Sequence, residues 1–240
     1  MDALLSHTNA LPVRIAILAK APLAGFAKTR LIPALGARGA ARLQRAFVRR
    51  TLHVAQQARL GGGVQLWCAP SAYQRFFRAL RRSTGVVCFN QPEGDLGARM
   101  QAATAAPGPV LLVCTDCPAL TVQHLHAAAA ALHVGANTGT GTGTGAVFIP
   151  AEDGGYVLVG LSQPQPGLFH GIDWSTERVM EQSRQRARAM GVALCELAPL
   201  WDVDTPDDLA RLVALREFAH LPGPCLPARH CPSFLSPEPS

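Results

Sequence analysis

At 240 residues, with 48% apolar and 16% charged residues, the chain is long enough for one well-packed domain and too apolar for a disordered protein. Its net charge of +6 comes without basic runs interleaved with aromatics, which argues against a nucleic-acid partner, whereas a phosphate-bearing substrate suffices to motivate a positive field. No stretch is long and apolar enough to span a membrane, and seven cysteines without a signal peptide point to reduced thiols and a cytoplasmic location.

Arg14 to Ala19 reads as a first buried strand. It runs into KAPLAGFAKTRLIP, where Lys20, Gly25, Lys28, Thr29 and Arg30 form a candidate phosphate-binding loop. Ala27 stands before Lys28, so the loop is not a Walker A motif. The chemistry is related: a glycine lets backbone N–H groups approach an anion, and the cations neutralise phosphate. The alternative is a loop whose cations face water.

Leu43, Phe47, Val54 and Ala58 recur at helical spacing and predict a helix over 38–60, stopped by Gly61, Gly62 and Gly63. Strands are expected over Val64–Ala69 and Val86–Phe89, with a helix over Ser71–Arg82 between them. The loop from Asn90 to Met100 carries Gly94 and Gly97, which permit close backbone approach. It also carries Gln91 for a base edge and Arg99 for a phosphate; the alternative is an ordinary loop with Asp95 capping the helix that begins near Leu96.

VLLVCTDCP, Val110 to Pro118, is the stretch with most functional content. A strand buried on both faces reads as such an apolar run, and ligands bind outside the carboxyl ends of parallel strands. Asp116 therefore sits at the mouth of a site as a hard oxygen ligand for a divalent cation, or it caps the following helix. Cys114 and Cys117 form a lone C-x-x-C, too little for a zinc site. His124 and His126 fall on different faces of the helix expected over Thr121–Leu132.

Gly135 to Gly145 is a low-complexity glycine–threonine run, read as a surface loop. AVFIP and YVLVGL are strands joined by AEDGG, a turn that leaves Glu152 and Asp153 at a strand end. Trp174 to Thr176 opens a helix to about Met190, with Ser175 as N-cap, and Val192 to Leu197 is another strand. In WDVDTPDDL, Thr205, Pro206 and Asp208 make a capping signature for a helix to about His220. Capping does not account for Asp202 and Asp204, which are candidate second metal ligands. Strands alternating with helices predict one α/β domain with a mostly parallel sheet over 13–219. An N-terminal extension covers 1–12, and a proline-rich, structureless tail covers 220–240.

KAPLAGFAKTRLIPALG, GDLGARM, CTDCPAL, PAEDGGYVLVGL, DWSTERV and WDVDTPDDL occur in the order seen in the DUF2064 family, which the sequence resembles over roughly residues 13–215. That resemblance implies a GT-A, nucleotide-diphospho-sugar-transferase fold. It extends to the 2-phospholactate guanylyltransferases and the molybdenum-cofactor nucleotidyltransferases. In those relatives the loop after the first strand holds the nucleotide, an acid like Asp116 holds magnesium, and a second acid or amide at the position of Asp204 helps.

The expected protein is a Mg²⁺- or Mn²⁺-dependent transferase. It would bind a nucleotide sugar or nucleoside triphosphate and a small-molecule acceptor. Asp116, Asp204 and Asp202 would hold the metal, Lys28 would offset developing charge, and Asp153 would orient the acceptor or act as base. The family's glycosyltransferase label favours glycosyl transfer. The cationic first loop, and a TDC lacking the second acid of a DxD motif, favour nucleotidyl transfer. A non-catalytic nucleotide-binding adaptor is the alternative of another class.

Overall fold

The structure, a computed structural model of the chain, describes residues 11–133 and 144–213. Most of the N-terminal extension, most of the glycine–threonine run, the tail over 220–240 and the end of the last helix lie outside the described residues.

The elements follow in order β1 (Val13–Lys20), α1 (Ile32–Ala58), β2 (Gly61–Ala69), α2 (Arg75–Thr84), β3 (Val87–Asn90), α3 (Leu96–Thr104), β4 (Val110–Val113) and α4 (Val122–His133). Then come β5 (Ala146–Pro150), β6 (Tyr156–Leu161), α5 (Val179–Ala189), β7 (Leu194–Glu196) and α6 (Pro206–Val213). They build one seven-stranded sheet of order β3-β2-β1-β4-β6-β5-β7. The pairs β1/β2, β1/β4, β2/β3 and β5/β7 are parallel. Only β6 runs against its neighbours, because the Asp153-Gly154 turn folds it straight back on β5. The mostly parallel α/β domain expected from the sequence is therefore the fold observed, and its architecture is GT-A-like.

Sheet strands covered on both faces must be apolar throughout, and β4 and β6 are buried at every position. On one face α1, α2 and α4 enclose a core around Ile15, Ile17, Phe77 and Leu125. On the other, α3, α5 and the 3₁₀ turn Pro166–Phe169 enclose Phe148, Tyr156, Met100 and Leu168. A smaller cluster, Trp201, Val203, Leu209 and Leu212 against Leu31, Leu43 and Phe47, fastens α6 to the start of α1.

Several boundaries differ from expectation for local reasons. The glycine triplet is not what stops α1: Arg59 closes that helix in the left-handed region (φ 47), and β2 already starts at Gly61. Gly62 lies so close to β1 that a Cβ would strike the backbone of Val13 and Arg14. Ser175 is not an N-cap; its φ is 65, and α5 begins only at Val179. Of the capping box at Thr205 one half forms: Asp208 Oδ2 accepts from the Thr205 N–H at 2.7 Å, while the Thr205 hydroxyl donates to the same oxygen and the Asp208 N–H goes to Thr205 O.

The chain builds β1, β2 and β3 outward to one edge and then returns to place β4 on the other side of β1. In an open α/β sheet the crevice outside the carboxyl ends of such strands is where ligands bind. Lys20 ends β1 and Asp116 follows β4 at this point.

Candidate active site

A cavity of about 640 Å³ opens there, lined from the first loop by Lys20, Lys28, Thr29 and Arg30 and from the β4 loop by Thr115 and Asp116. Asp153, Asp202 and Asp204 line it as well.

Lys28 is its centre. The residue holds a left-handed backbone (φ 51, ψ 46) just before the 3₁₀ turn Thr29–Leu31, a conformation uncommon outside glycine. The side chain is almost fully buried. Its ammonium donates to Val203 O at 2.6 Å and lies 3.0 Å from Asp116 Oδ2 and 3.2 Å from Asp204 Oδ1. All three N–H donors thus have partners. Burial alone would lower the lysine's pKa; the charges of Asp116 and Asp204 outweigh it and hold the group above its ordinary value, and so ionised. Val203 N–H also donates to Asp116 O at 3.0 Å, so the two acid-bearing segments are joined through backbone as well. Arg30 Nη1 holds the other oxygen of Asp204 at 2.9 Å.

Asp116 is steadied from below. Its Oδ1 accepts from Thr115 Oγ1 at 3.1 Å, and that hydroxyl accepts from Gln44 Nε2 at 3.3 Å. The same amide donates to Lys20 O at 3.2 Å. Gln44, buried on α1, thereby links the carboxyl ends of β1 and β4. Sequence reasoning missed it, although a lone amide between Leu43 and Phe47 on a buried stripe was a signal.

Arg99 also lines the cavity, as expected for a phosphate ligand; its Nε is buried without a hydrogen-bond partner. The glycines are placed otherwise. Gly25, Gly94 and Gly97 do not line the cavity. A Cβ on Gly97 would meet Phe169 O at 2.7 Å and the Trp174 indole nitrogen at 2.9 Å, so this glycine serves close packing of α3. Gln91 spends its amide donors on Trp67 O (2.8 Å) and Ala19 O (3.4 Å), which removes them from a base edge. Glu152 turns to Arg211 at 2.8 Å and leaves the cavity to Asp153, whose Oδ1 accepts from Gly155 N–H at 2.9 Å. Trp174, Tyr156 and Glu177 complete that wall without having been anticipated. The Trp174 and Tyr156 rings meet edge to face, 6.5 Å between centroids.

Among the described residues no three His, Cys, Asp or Glu side chains form a ready metal cage. Mg²⁺ rarely uses one; one or two carboxylates plus substrate phosphates are its usual partners. Asp116 and Asp204 supply hard oxygens facing one point. Around Asp202 itself negative charge prevails: burial, then the charges of Asp153, Asp116 and Asp204, push its carboxyl up to about 6, with Lys28 opposing. Four acids, Asp116, Asp153, Asp202 and Asp204, line a cavity that Lys20, Lys28, Arg30 and Arg99 also line, a donor set that fits a cation carrying a phosphate group.

The family model for "Uncharacterized protein conserved in bacteria (DUF2064)" matches residues 51–176. No curated protein matches the chain. A solved structure from Desulfovibrio desulfuricans G20, provisionally named a nucleotide-diphospho-sugar transferase, is 26% identical; the match covers 88% of this chain and 91% of that one, with a TM-score of 0.73. A 4-diphosphocytidyl-2C-methyl-D-erythritol synthase from Anaerococcus prevotii DSM 20548 shares the fold at 10% identity, covering 85% and 96%, TM-score 0.55. So does a cytidylyltransferase from Leptospira borgpetersenii, at 15% identity, covering 86% and 89%, TM-score 0.54.

Proposed function

The chain belongs to the DUF2064 family, and from that premise we propose that it is a divalent-metal-dependent transferase. It moves a glycosyl group from a nucleotide sugar to a small acceptor, in the cytoplasm. The observation that carries this reading is Lys28 holding Asp116 and Asp204 together at the floor of a cavity over the carboxyl ends of β1 and β4.

Phosphate-linked group transfer is mainly positioning and electrostatics, so no protein nucleophile is needed. Lys20 and the exposed Arg30 bind the diphosphate oxygens; Arg99 reaches the same group from α3. Lys28, with its donors already engaged, contributes a fixed charge and the geometry of the acid pair. Asp116, with Asp204 or Asp202, would hold Mg²⁺ or Mn²⁺, which when bound neutralises charge building on the leaving diphosphate. Asp153, which lines the same cavity, orients the acceptor hydroxyl and takes its proton.

A second reading, nucleotidyl transfer from a nucleoside triphosphate to a small phosphorylated metabolite, is favoured by the cation-rich first loop and the single-acid Thr115-Asp116-Cys117. The released product separates the two. Incubation with nucleotide sugars, and separately with triphosphates, in Mg²⁺ or Mn²⁺ with a panel of acceptors is expected to release nucleoside diphosphate. Release of pyrophosphate instead establishes the second reading. Nucleotide binding that withstands EDTA, with no turnover of either donor, favours a non-catalytic adaptor.

A further inference from the structure

Positive charge is segregated along this chain. Fourteen of its 22 lysines and arginines lie in residues 3–92, a span without a single aspartate or glutamate. Only part of that charge serves the cavity. On α1, Arg42, Arg45 and Arg49 recur at spacings of three and four, and on α2 so do Arg75, Arg78 and Arg82. Such spacing sets each trio on one helix face, and all six residues are exposed.

The two faces are neighbours. The Arg45 guanidinium lies 5.0 Å over the Phe76 ring of α2. Further along, Gln56 Nε2 of α1 donates to Thr84 O at 3.2 Å. The helices therefore run side by side on one sheet face, and their arginine rows form a single surface. None of the six arginines has an ion pair among the described residues. An ordinary solvated face in this protein looks different: on α5, Arg184 is matched by Glu181 and Glu196. Like charges one helical turn apart repel, so an acid-free surface of this kind is complemented by an anionic partner.

The shape selects among anions. Two parallel helices packed on a sheet present a broad layer, whereas a DNA major groove admits one helix. Apolar groups stand at the end of the same layer. Tyr73, just before α2, is 77% exposed, and Leu23, in the loop leading to α1, is 39% exposed. The two loops leave the sheet together, where Ala21 N–H donates to Ala69 O at 2.7 Å. Arginines on a flat face with a tyrosine at its margin are the composition of a surface that lies on a bilayer. We propose that the α1/α2 face docks the protein peripherally on an anionic phospholipid surface. This docking is independent of the reaction assigned to the cavity.

Cosedimentation of the full chain with phosphatidylglycerol-containing vesicles and with pure phosphatidylcholine vesicles tests it. Binding is expected to the first and not the second, and to fall steeply with salt. Arg42→Gln/Arg45→Gln/Arg49→Gln and Arg75→Gln/Arg78→Gln/Arg82→Gln should each weaken it on the order of a hundredfold, with Arg188→Gln on α5 binding as wild type. Absence of binding to the anionic vesicles at low salt overturns the proposal, as does unchanged binding by both triple variants. Should a triple variant fail to fold, wild-type binding that persists at about 0.5 M NaCl overturns it equally. Tighter binding to a DNA duplex than to the vesicles, read by fluorescence anisotropy, would assign the face to nucleic acid instead.

Discussion

The ammonium of Lys28 lies 3.0 Å from Asp116 Oδ2, which ties the loop after β1 to the loop after β4 at the point where the sheet reverses its building direction. Because the same ammonium also holds Asp204, one side chain sets the spacing of both candidate metal ligands. Lys28→Met removes that counter-charge from two carboxylates. Turnover is expected to fall at least about a hundredfold, the scale of a lost electrostatic group at a reacting centre. Mn²⁺ affinity in the absence of nucleotide should rise, since the acids lose their resident cation. Isothermal titration with Mn²⁺ checks the second point; weaker Mn²⁺ binding would contradict it.

Gln44→Leu tests the support beneath Asp116. The substitution suits the apolar surroundings but strips Thr115 Oγ1 and Lys20 O of a shared donor. Unmade buried hydrogen bonds cost about 1–3 kcal/mol. The expected result is a modest loss of stability in urea melts and a fall in kcat of about tenfold with little change in KM, the pattern of an altered transition-state interaction.

Gly97→Ala separates packing from phosphate binding. Its Cβ would press on Phe169 O and the Trp174 indole, and overpacking costs about 1–3 kcal/mol. A lowered melting temperature and a shifted Trp174 fluorescence are expected. A variant as stable as wild type, with weakened nucleotide binding alone, would return Gly97 to a phosphate role.

The ion pairs of α5 predict a pH dependence. Arg184 grips Glu196 through Nε and Nη2, at 2.7 and 2.9 Å, and also touches Glu181 at 3.2 Å. The hydrogen bond from Arg184 holds Glu196 below its ordinary pKa; for Glu181 the Gln185 amide is the larger cause and Arg184 the next. A depressed carboxylate contributes stability that is present above its unfolded pKa of about 4.3 and is lost as pH falls through its folded value. Arg184→Met should therefore lower stability near neutral pH by up to about 1 kcal/mol, given the pair's exposure. The difference from wild type should shrink toward zero as the solution is acidified below that range. A difference that stays constant from neutral to acid pH would assign the effect to packing.

The sheet was legible in the sequence because its strands are apolar runs bounded by turn residues, as at VLLV and YVLVGL. The positions of Lys28, Asp116, Asp202, Asp204, Asp153 and Arg99 were legible because each lies in a loop that follows a strand or opens the helix after one. What was not legible depended on tertiary approach. Gln44 acquires its part only when α1 lies across β1 and β4. Trp174, Tyr156 and Glu177 become cavity wall only when the start of β6 and the segment before α5 come together, as in the Tyr156–Trp174 ring contact. Gly97 carried the signature of a backbone near an anion, and the close approach it permits is to Phe169 and Trp174. That Lys28 would lie between the acids also escaped the linear reading. A lysine in a cation-rich loop suggests phosphate, and its left-handed backbone, which turns it inward, has no marker such as glycine or asparagine.

A thermal-shift series on wild type and Asp116→Asn, with nucleotide sugars in the presence of Mg²⁺ and then of EDTA, bears most directly on the metal-dependent cavity. A ligand that binds only the folded protein raises its melting temperature by mass action. Wild type should gain a larger shift with Mg²⁺ than with EDTA, and Asp116→Asn should lose that difference while still melting cooperatively. Equal shifts in Mg²⁺ and EDTA for wild type, reproduced by Asp116→Asn, would contradict it.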